Sequence, residues 1–255
     1  MHVRVYAMII FSCLVVCTAL AQGYTSGSIF AHNDYAQENS FYGAYSYRVG
    51  YIEADVFLKD GELMVAHLAN EIQKDRTLEN LYLIPLKGEM VKNMGWAYAD
   101  STLRLTLMID LKTAGISTLQ KLVPQLNNYP ELISCRNFEI VISGNVPPAD
   151  QWNAFPTFIH FDARPGINYT TEQLKRISLI SISFSSVSLW DGKSDLPKQD
   201  QERLEKLIRS VHTFNKKIRF WGAPDFENGW TALKKLKVDV IGTDNVFNLF
   251  EFLEH

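Results

Sequence analysis

His32, Glu53, Asp55, His67, Asp110 and Lys112 are the residues of this chain whose types and spacing could perform chemistry. Glu53 and Asp55 stand two apart in the alternating run Tyr51-Ile52-Glu53-Ala54-Asp55-Val56. In an extended strand that spacing puts both carboxylates on one face, as a shared hard cation requires. Buried unpaired acids are costly, so a cation or a basic partner is expected beside them. Asp110 adds a third oxygen from an adjacent strand. An oxygen-only set suits Mg2+ or Ca2+, whereas Zn2+ would more often recruit the histidines or a thiolate. His32 and His67 beside such a metal allow concerted acid-base chemistry, one taking a proton while the other donates one. Lys112 could neutralise an anionic oxygen. A metal, a cation and two proton carriers are what phosphoryl transfer at a diester needs around a developing pentacoordinate phosphorus.

Elements that could bring these residues together are visible in the hydrophobic pattern. Short apolar or alternating runs predict strands at 28–31, 51–58, 105–111, 138–143, 157–161, 179–184, 218–222 and 238–242. Helical patterns fall between most of them, for example 116–127, 200–214 and 227–236, with a closing helix at 246–253. Lys59-Asp60-Gly61 marks a tight turn into a further apolar run at 62–66, read as a hairpin inserted after the second strand. Eight strands with crossover helices predict an α/β fold, a (β/α)8 TIM barrel, whose active site lies at the carboxyl ends of the strands. An open doubly wound sheet is the competitor. It would place a Gly-rich phosphate loop after its first strand, where this chain has His32-Asn33-Asp34-Tyr35.

The chain has 255 residues, 47% of them hydrophobic and 21% charged, which excludes a disordered polyelectrolyte and a multispan membrane protein. A formal charge of -3 gives no global attraction to phosphate backbones, so no nucleic-acid partner is expected. His2 and Arg4 precede an apolar run at 5–20, shorter than the ~20 residues that span a bilayer, and Ala19-Leu20-Ala21 has a signal-peptidase pattern. Residues 1–21 are therefore read as a secretory signal. Residues 22–255 are read as a single domain without a permanent transmembrane anchor, exported to the periplasm or the exterior and monomeric. Cys13 and Cys17 fall in the signal, leaving Cys135 alone and no internal disulfide. Lipidation at Cys17 is disfavoured because Val16 is a poor small residue at the cut. Asn168-Tyr169-Thr170 has the form of a glycosylation sequon, for which chance is the simpler explanation.

Taken in order, Ala31-His32, Glu38-Asn39-Ser40, Ile52-Glu53-Ala54-Asp55-Val56, Lys59-Asp60-Gly61 and Val65-Ala66-His67 resemble a known pattern. It is that of the glycerophosphodiester phosphodiesterases, within the phosphatidylinositol-phospholipase-C-like barrel superfamily. The form His32-Asn33-Asp34-Tyr35 resembles more closely the branch related to the fungal "altered inheritance of mitochondria protein 6". Met108-Ile109-Asp110-Leu111-Lys112-Thr113 also resembles the sphingomyelinase D branch. Arg219-Phe220-Trp221-Gly222 and the stretch through Gly242-Thr243-Asp244-Asn245 resemble the superfamily's last two strands. The resemblance implies a phosphoric diester hydrolase in which His32 and His67 are the acid-base pair and Glu53, Asp55 and Asp110 bind the metal. Lys112 would contact phosphate and Trp221 would line the pocket. It also implies attack by a substrate hydroxyl on its own phosphorus, giving a cyclic phosphate to which some branches add water. The substrate would be a small phosphodiester or a phospholipid headgroup. Three departures stand out: His-Arg-Gly is replaced by His32-Asn33-Asp34, an acid after the second histidine by Leu68, and a glutamate by Asp110. An arginine phosphate contact is thus missing, and Asn33 is the residue placed to substitute as a neutral phosphate or metal contact.

Blander readings stand beside these. The three acids could form a structural ion-pair network at a barrel mouth, and Trp221 could be core packing. A catalytically inactive secreted barrel that binds a polar ligand is the alternative function, and a two-carboxylate glycosidase a third. His160 and Asp162 lie at a later strand end and are secondary pocket candidates. His212 is expected exposed on a helix. Lys234, Lys235 and Lys237 are expected to form a solvated helix face, and Phe41, Tyr42, Tyr45 and Tyr47 to serve helix packing.

Overall fold

Alternation of side chains along the strands sorts the inside of the molecule from the outside. In β4 (Leu105–Leu111), Leu105, Leu107, Ile109 and Leu111 join the core between sheet and helices, while Met108 joins a separate apolar cluster inside the sheet. The computed structural model, which describes residues 23–254, shows the same alternation in the other strands. These are β1 (Ile29–Ala31), β2 (Tyr51–Lys59), β5 (Phe138–Gly144), β6 (Ile159–Ala163), β7 (Ile177–Ser183), β8 (Lys217–Trp221) and β9 (Ile241–Thr243). They pair in parallel in the order β8, β7, β6, β5, β4, β2, β1, β9. A bridge between Arg219 and Val240 brings the two ends of that order together, so eight parallel strands form a nearly closed (β/α)8 barrel. The predicted signal at 1–21, with Cys13 and Cys17, lies outside the described residues.

The helices cover the barrel with one apolar stripe each. α3 (Gly115–Leu126) buries Leu119, Leu122 and Leu126, and α6 (Lys198–His212) buries Leu204, Ile208 and Val211, both at helical spacing. α7 (Glu227–Lys235) and α8 (Val246–Glu254) also fall close to their predicted bounds. α1 (Tyr42–Ser46), α2 (Ile84–Lys92), α4 (Pro130–Ser134) and α5 (Thr171–Arg176) complete the set. As expected, Phe41 stacks on Tyr45, which stacks on Tyr98. Lys234 lies over the rings of Tyr24 and Phe252. No helix among the described residues is long and apolar enough to cross a membrane.

Two local features position the site. β3 (Glu62–Val65) pairs antiparallel with β2, with Val56 opposite Val65 and Lys59 opposite Glu62. Its two turn residues, Asp60 at φ 51° and Gly61 at φ 80°, both take the left-handed conformation of a type I′ turn. The returning strand donates from the Ala66 N–H to the Asp55 carbonyl at 3.2 Å, which delivers His67 to the barrel mouth. Gly144 ends β5 at φ 72°, and a Cβ there would lie 2.3 Å from Asp110 Oδ1 and 2.6 Å from the Leu111 carbonyl. Only glycine lets that loop close over Asp110. Deeper in the barrel, Phe30, Tyr51, Met108, Val141, Leu179 and Val240 fill the interior and floor the cavity above.

Candidate active site

The carboxyl ends of the strands enclose a cavity of about 440 Å3. His32, Asn33, Glu53, Asp55, His67, Asp110, Lys112 and Trp221, the residues given catalytic, metal or substrate roles from the sequence, line it together. Asp55 and Asp110 sit directly opposite each other in the β2–β4 register. Trp221 is 47% exposed, so it is a wall of the cavity and not part of the core. Asp162 also lines the cavity, but His160 does not. β6 starts two residues later than predicted, so His160 lies near its beginning, toward the opposite end of the barrel, with Nδ1 3.3 Å from Glu139. His212 is exposed on α6, as expected, and Nε2 lies 2.8 Å from Asp239.

The histidines are each anchored through one nitrogen. His32 follows β1, and its Nδ1 lies 2.7 Å from Asp244 Oδ1, an acid just beyond β9. Asp244 is itself held by its N–H, which donates to Asp225 Oδ2 at 2.8 Å, and by Gln37 Nε2, which donates to its carbonyl at 3.2 Å. This leaves His32 Nε2 toward the cavity, 3.6 Å from Glu53 Oε2. His67 Nδ1 lies 3.2 Å from the Tyr35 hydroxyl and 3.4 Å from Asp55 Oδ2. The Tyr35 oxygen is 2.7 Å from both Asp55 Oδ2 and Asn33 Oδ1. Of the two acceptors the charged carboxylate is the stronger, so Tyr35 donates to Asp55 and accepts from His67. Burial, then the Asp55 carboxylate, raise the Tyr35 pKa, which keeps that donor protonated.

Asn33 ties the first loop to two acids of the site. It sits at φ 50°, a left-handed conformation that asparagine tolerates well. There its N–H donates to Glu53 Oε2 at 3.1 Å and its Nδ2 donates to Asp244 Oδ1 at 3.2 Å. Next to it, buried Asp34 accepts from the Phe41 N–H at 2.6 Å and the Tyr82 hydroxyl at 2.9 Å. Burial pushes the Asp34 carboxyl up to about 6, against the pull of those two donors.

Glu53, Asp55 and Asp110 each offer a carboxylate oxygen, and the three oxygens lie within 4.8 Å of one another. Glu53 and Asp55 are buried and Asp110 is half-buried. Lys112 Nζ answers part of this charge, 3.0 Å from Asp55 Oδ2 and 3.1 Å from Asp110 Oδ1. Burial works against its ammonium, but Asp110 and Asp55 outweigh that and raise its pKa. Glu53 has weaker compensation, with Arg219 Nη2 4.0 Å from Oε1. Burial raises its pKa in spite of Arg219 and His32. Three converging carboxylates with incomplete compensation and no soft donor among them fit a hard divalent cation.

Residues of the far wall carry no sequence assignment as a group. Asp162, at the end of β6, accepts from Ser143 Oγ at 3.0 Å and Arg164 Nη1 at 2.8 Å. Arg219 rises from β8 with its guanidinium 3.4 Å from the Phe30 ring centroid, fully inside the barrel, and its Nε is buried without a hydrogen-bond partner. Burial lowers its pKa, and Glu53 and Asp162 oppose that. Tyr35 and Asp244 lay within quoted motifs without a role, whereas nothing in its local sequence singles out Arg164.

Residues 18–146 match the AIM6-like phosphodiesterase domain family. The "Altered inheritance of mitochondria protein 6 homolog" of Arthroderma benhamiae is 24% identical over 269 residues, covering 90% of this chain and 84% of that protein. The "Altered inheritance of mitochondria protein 6" of Eremothecium gossypii is 24% identical over 273 residues, covering 88% of this chain and 69% of that protein. Among solved structures, a glycerophosphodiester phosphodiesterase from Parabacteroides distasonis superposes with a TM-score of 0.56 at 13% identity. That match covers 91% of this chain and 98% of the other, a likeness of fold.

Proposed function

The chain belongs to the AIM6-like phosphodiesterase domain family and is a phosphoric diester hydrolase on a (β/α)8 barrel, and we propose that it is exported and cleaves a glycerophosphodiester or a phospholipid headgroup. The carrying observation is the pair of anchored histidines, His32 beside Glu53 and His67 beside Asp55, at the two buried acids of the cluster. With Nδ1 of each ring committed, both Nε2 atoms serve proton transfer. One takes the proton of the attacking hydroxyl, and the other protonates the departing alkoxide as the phosphorus–oxygen bond breaks. Where the attacking group is a hydroxyl of the substrate, the product is a cyclic phosphate.

Glu53, Asp55 and Asp110 would hold the cation, Mg2+ or Ca2+, which when bound supplies positive charge to a phosphoryl oxygen. Lys112 has three N–H donors, and its two carboxylate partners leave one for the phosphate. Asn33 holds the loop that carries His32, and Trp221 packs on the bound headgroup. The mature single domain, 22–255, acts as a monomer without a nucleic-acid partner or a transmembrane anchor. The test is hydrolysis of a panel of glycerophosphodiesters, lysophospholipids and phosphoinositides by the purified protein and by His67→Ala, with Mg2+, with Ca2+ and with chelator. Turnover that needs metal and His67 supports the reading. Ligand binding without any turnover would instead establish a binding barrel.

A further inference from the structure

The chemistry proposed above uses the wall built by β1, β2, β3 and β4, together with Asp244. The opposite wall, from β6 and β8, has polar groups of its own that this chemistry leaves unassigned. We propose that Arg164 makes this wall a headgroup subsite that selects phosphodiesters carrying a second anionic group, a phosphate or a carboxylate. The inference rests on the reading of this cavity as a phosphodiesterase site.

Arg164 is built in and still has hydrogen-bonding capacity. Its Nη1 donates to Asp162 Oδ2 at 2.8 Å, to its neighbour's carbonyl on Ala163 at 3.1 Å and toward the Ser181 carbonyl at 3.5 Å. Those acceptors come from β6 and β7 and fix one edge of a planar group. Nε and Nη2 have no partner among the described residues, which leaves three N–H donors in the fork that matches carboxylate or phosphate oxygens. The side chain is 41% exposed and lines the cavity, whereas Asp162 beneath it is buried. A guanidinium present only to neutralise Asp162 would not need to face the cavity with most of its donors free.

The same geometry disfavours a cationic headgroup at this wall. Asp162 is almost wholly buried, with Oδ2 accepting from Ser143 and Arg164 and Oδ1 enclosed without a hydrogen-bond partner, so it exposes little carboxylate to a ligand. Trp221 alone would favour a quaternary ammonium through its ring face. Arg164 on the same side of the cavity opposes that ligand and favours its anionic counterpart. Charge-assisted hydrogen bonds of this kind correspond to about tenfold or more in affinity.

The experiment compares kcat/KM for three glycerophosphodiesters: glycerophosphoinositol 4-phosphate, glycerophosphoinositol and glycerophosphocholine. Calorimetric binding of the same compounds is measured in parallel on the protein as purified. Wild type is expected to prefer the phosphorylated headgroup to choline by about tenfold or more. Arg164→Gln should lose at least about ten times more on the phosphorylated compound than on the unphosphorylated one, chiefly through KM. Arg164→Lys, which keeps charge without the fork, should fall between the two. If Arg164→Gln does not fold because Asp162 is left unpaired, the Arg164→Gln/Asp162→Asn double variant replaces it. Equal losses on all three compounds, or an unchanged order of preference, would overturn the proposal while leaving the phosphodiesterase reading intact. If wild type cleaves none of them, the catalytic reading fails, and the binding series alone decides the subsite by the same criterion.

Discussion

The two walls of the cavity are built differently. On the wall of β1 to β4, buried acids, two histidines and a lysine contact one another, and the bonds among them run within or between short segments of the first half of the chain. On the wall of β6 and β8, one exposed guanidinium and one exposed indole stand over a buried ionic layer of Asp162 and Arg219. The first wall is dense enough to hold proton carriers and a cation in fixed relation. The second presents a few separated contacts, which suits recognition more than bond breaking. The proposed chemistry and the proposed selectivity thus fall on opposite sides of one cavity.

Substitutions on the first wall test this division most severely. His32→Ala should lower kcat by about 10²–10⁴-fold, the range for loss of a general acid or base, with Mg2+ affinity largely retained in calorimetry. A collapse of metal affinity would make His32 a ligand instead. Asp55→Asn removes a carboxylate that also receives Tyr35 and Lys112. It should weaken metal binding by about 10–100-fold or more, and an unchanged titration would refute its assignment as a ligand. Asp244→Asn should have a smaller effect. It can still accept from His32 but without charge, so kcat should fall about tenfold or more with KM little changed. An equal rise in KM would place Asp244 in substrate binding, blurring the contrast between a residue that positions and one that recognises.

The smallest expected effect lies just behind the first wall. Asp34, pushed up to about 6 by burial, favours its protonated form in the folded state. A raised carboxyl contributes stability that is complete below its ordinary value near 3.8 and is lost as pH rises through about 6. From pH 4 to pH 7 wild type should therefore lose about 2–3 kcal/mol relative to Asp34→Asn, whose amide oxygen can keep the Phe41 and Tyr82 bonds. Urea midpoints at the two pH values measure this. Parallel behaviour of the two proteins would mean that Asp34 is solvated more than its burial indicates.

The same contrast explains what could be read without a structure. β4 was legible to the residue because its alternation is uninterrupted, and the hairpin because Asp60-Gly61 has the chemistry of its turn. The first wall was legible because its groups recur at strand ends within short motifs. α2 was not, because it grows out of a π-helical turn at Glu79–Leu83 and mixes proline, glycine and exposed apolar residues. Arg164 precedes Pro165-Gly166 and reads as an ordinary loop residue, and only the packing of β6 against β7 gives it a place. Asp244 reaches His32 across 212 positions, a distance that no local pattern spans. His160 shows the opposite error, since shifting β6 by two residues carries the side chain to the other end of the barrel while keeping it on the same face.

The most direct test of the central claim is a 31P NMR time course of a glycerophosphodiester with the purified protein, run with Mg2+ or Ca2+ and again after chelation. Loss of the diester signal, with a cyclic phosphate or a phosphomonoester growing in only when metal is present, is the predicted result. A diester signal that stays constant in every sample, or one that decays equally fast after chelation, would contradict a metal-assisted phosphodiesterase at this wall.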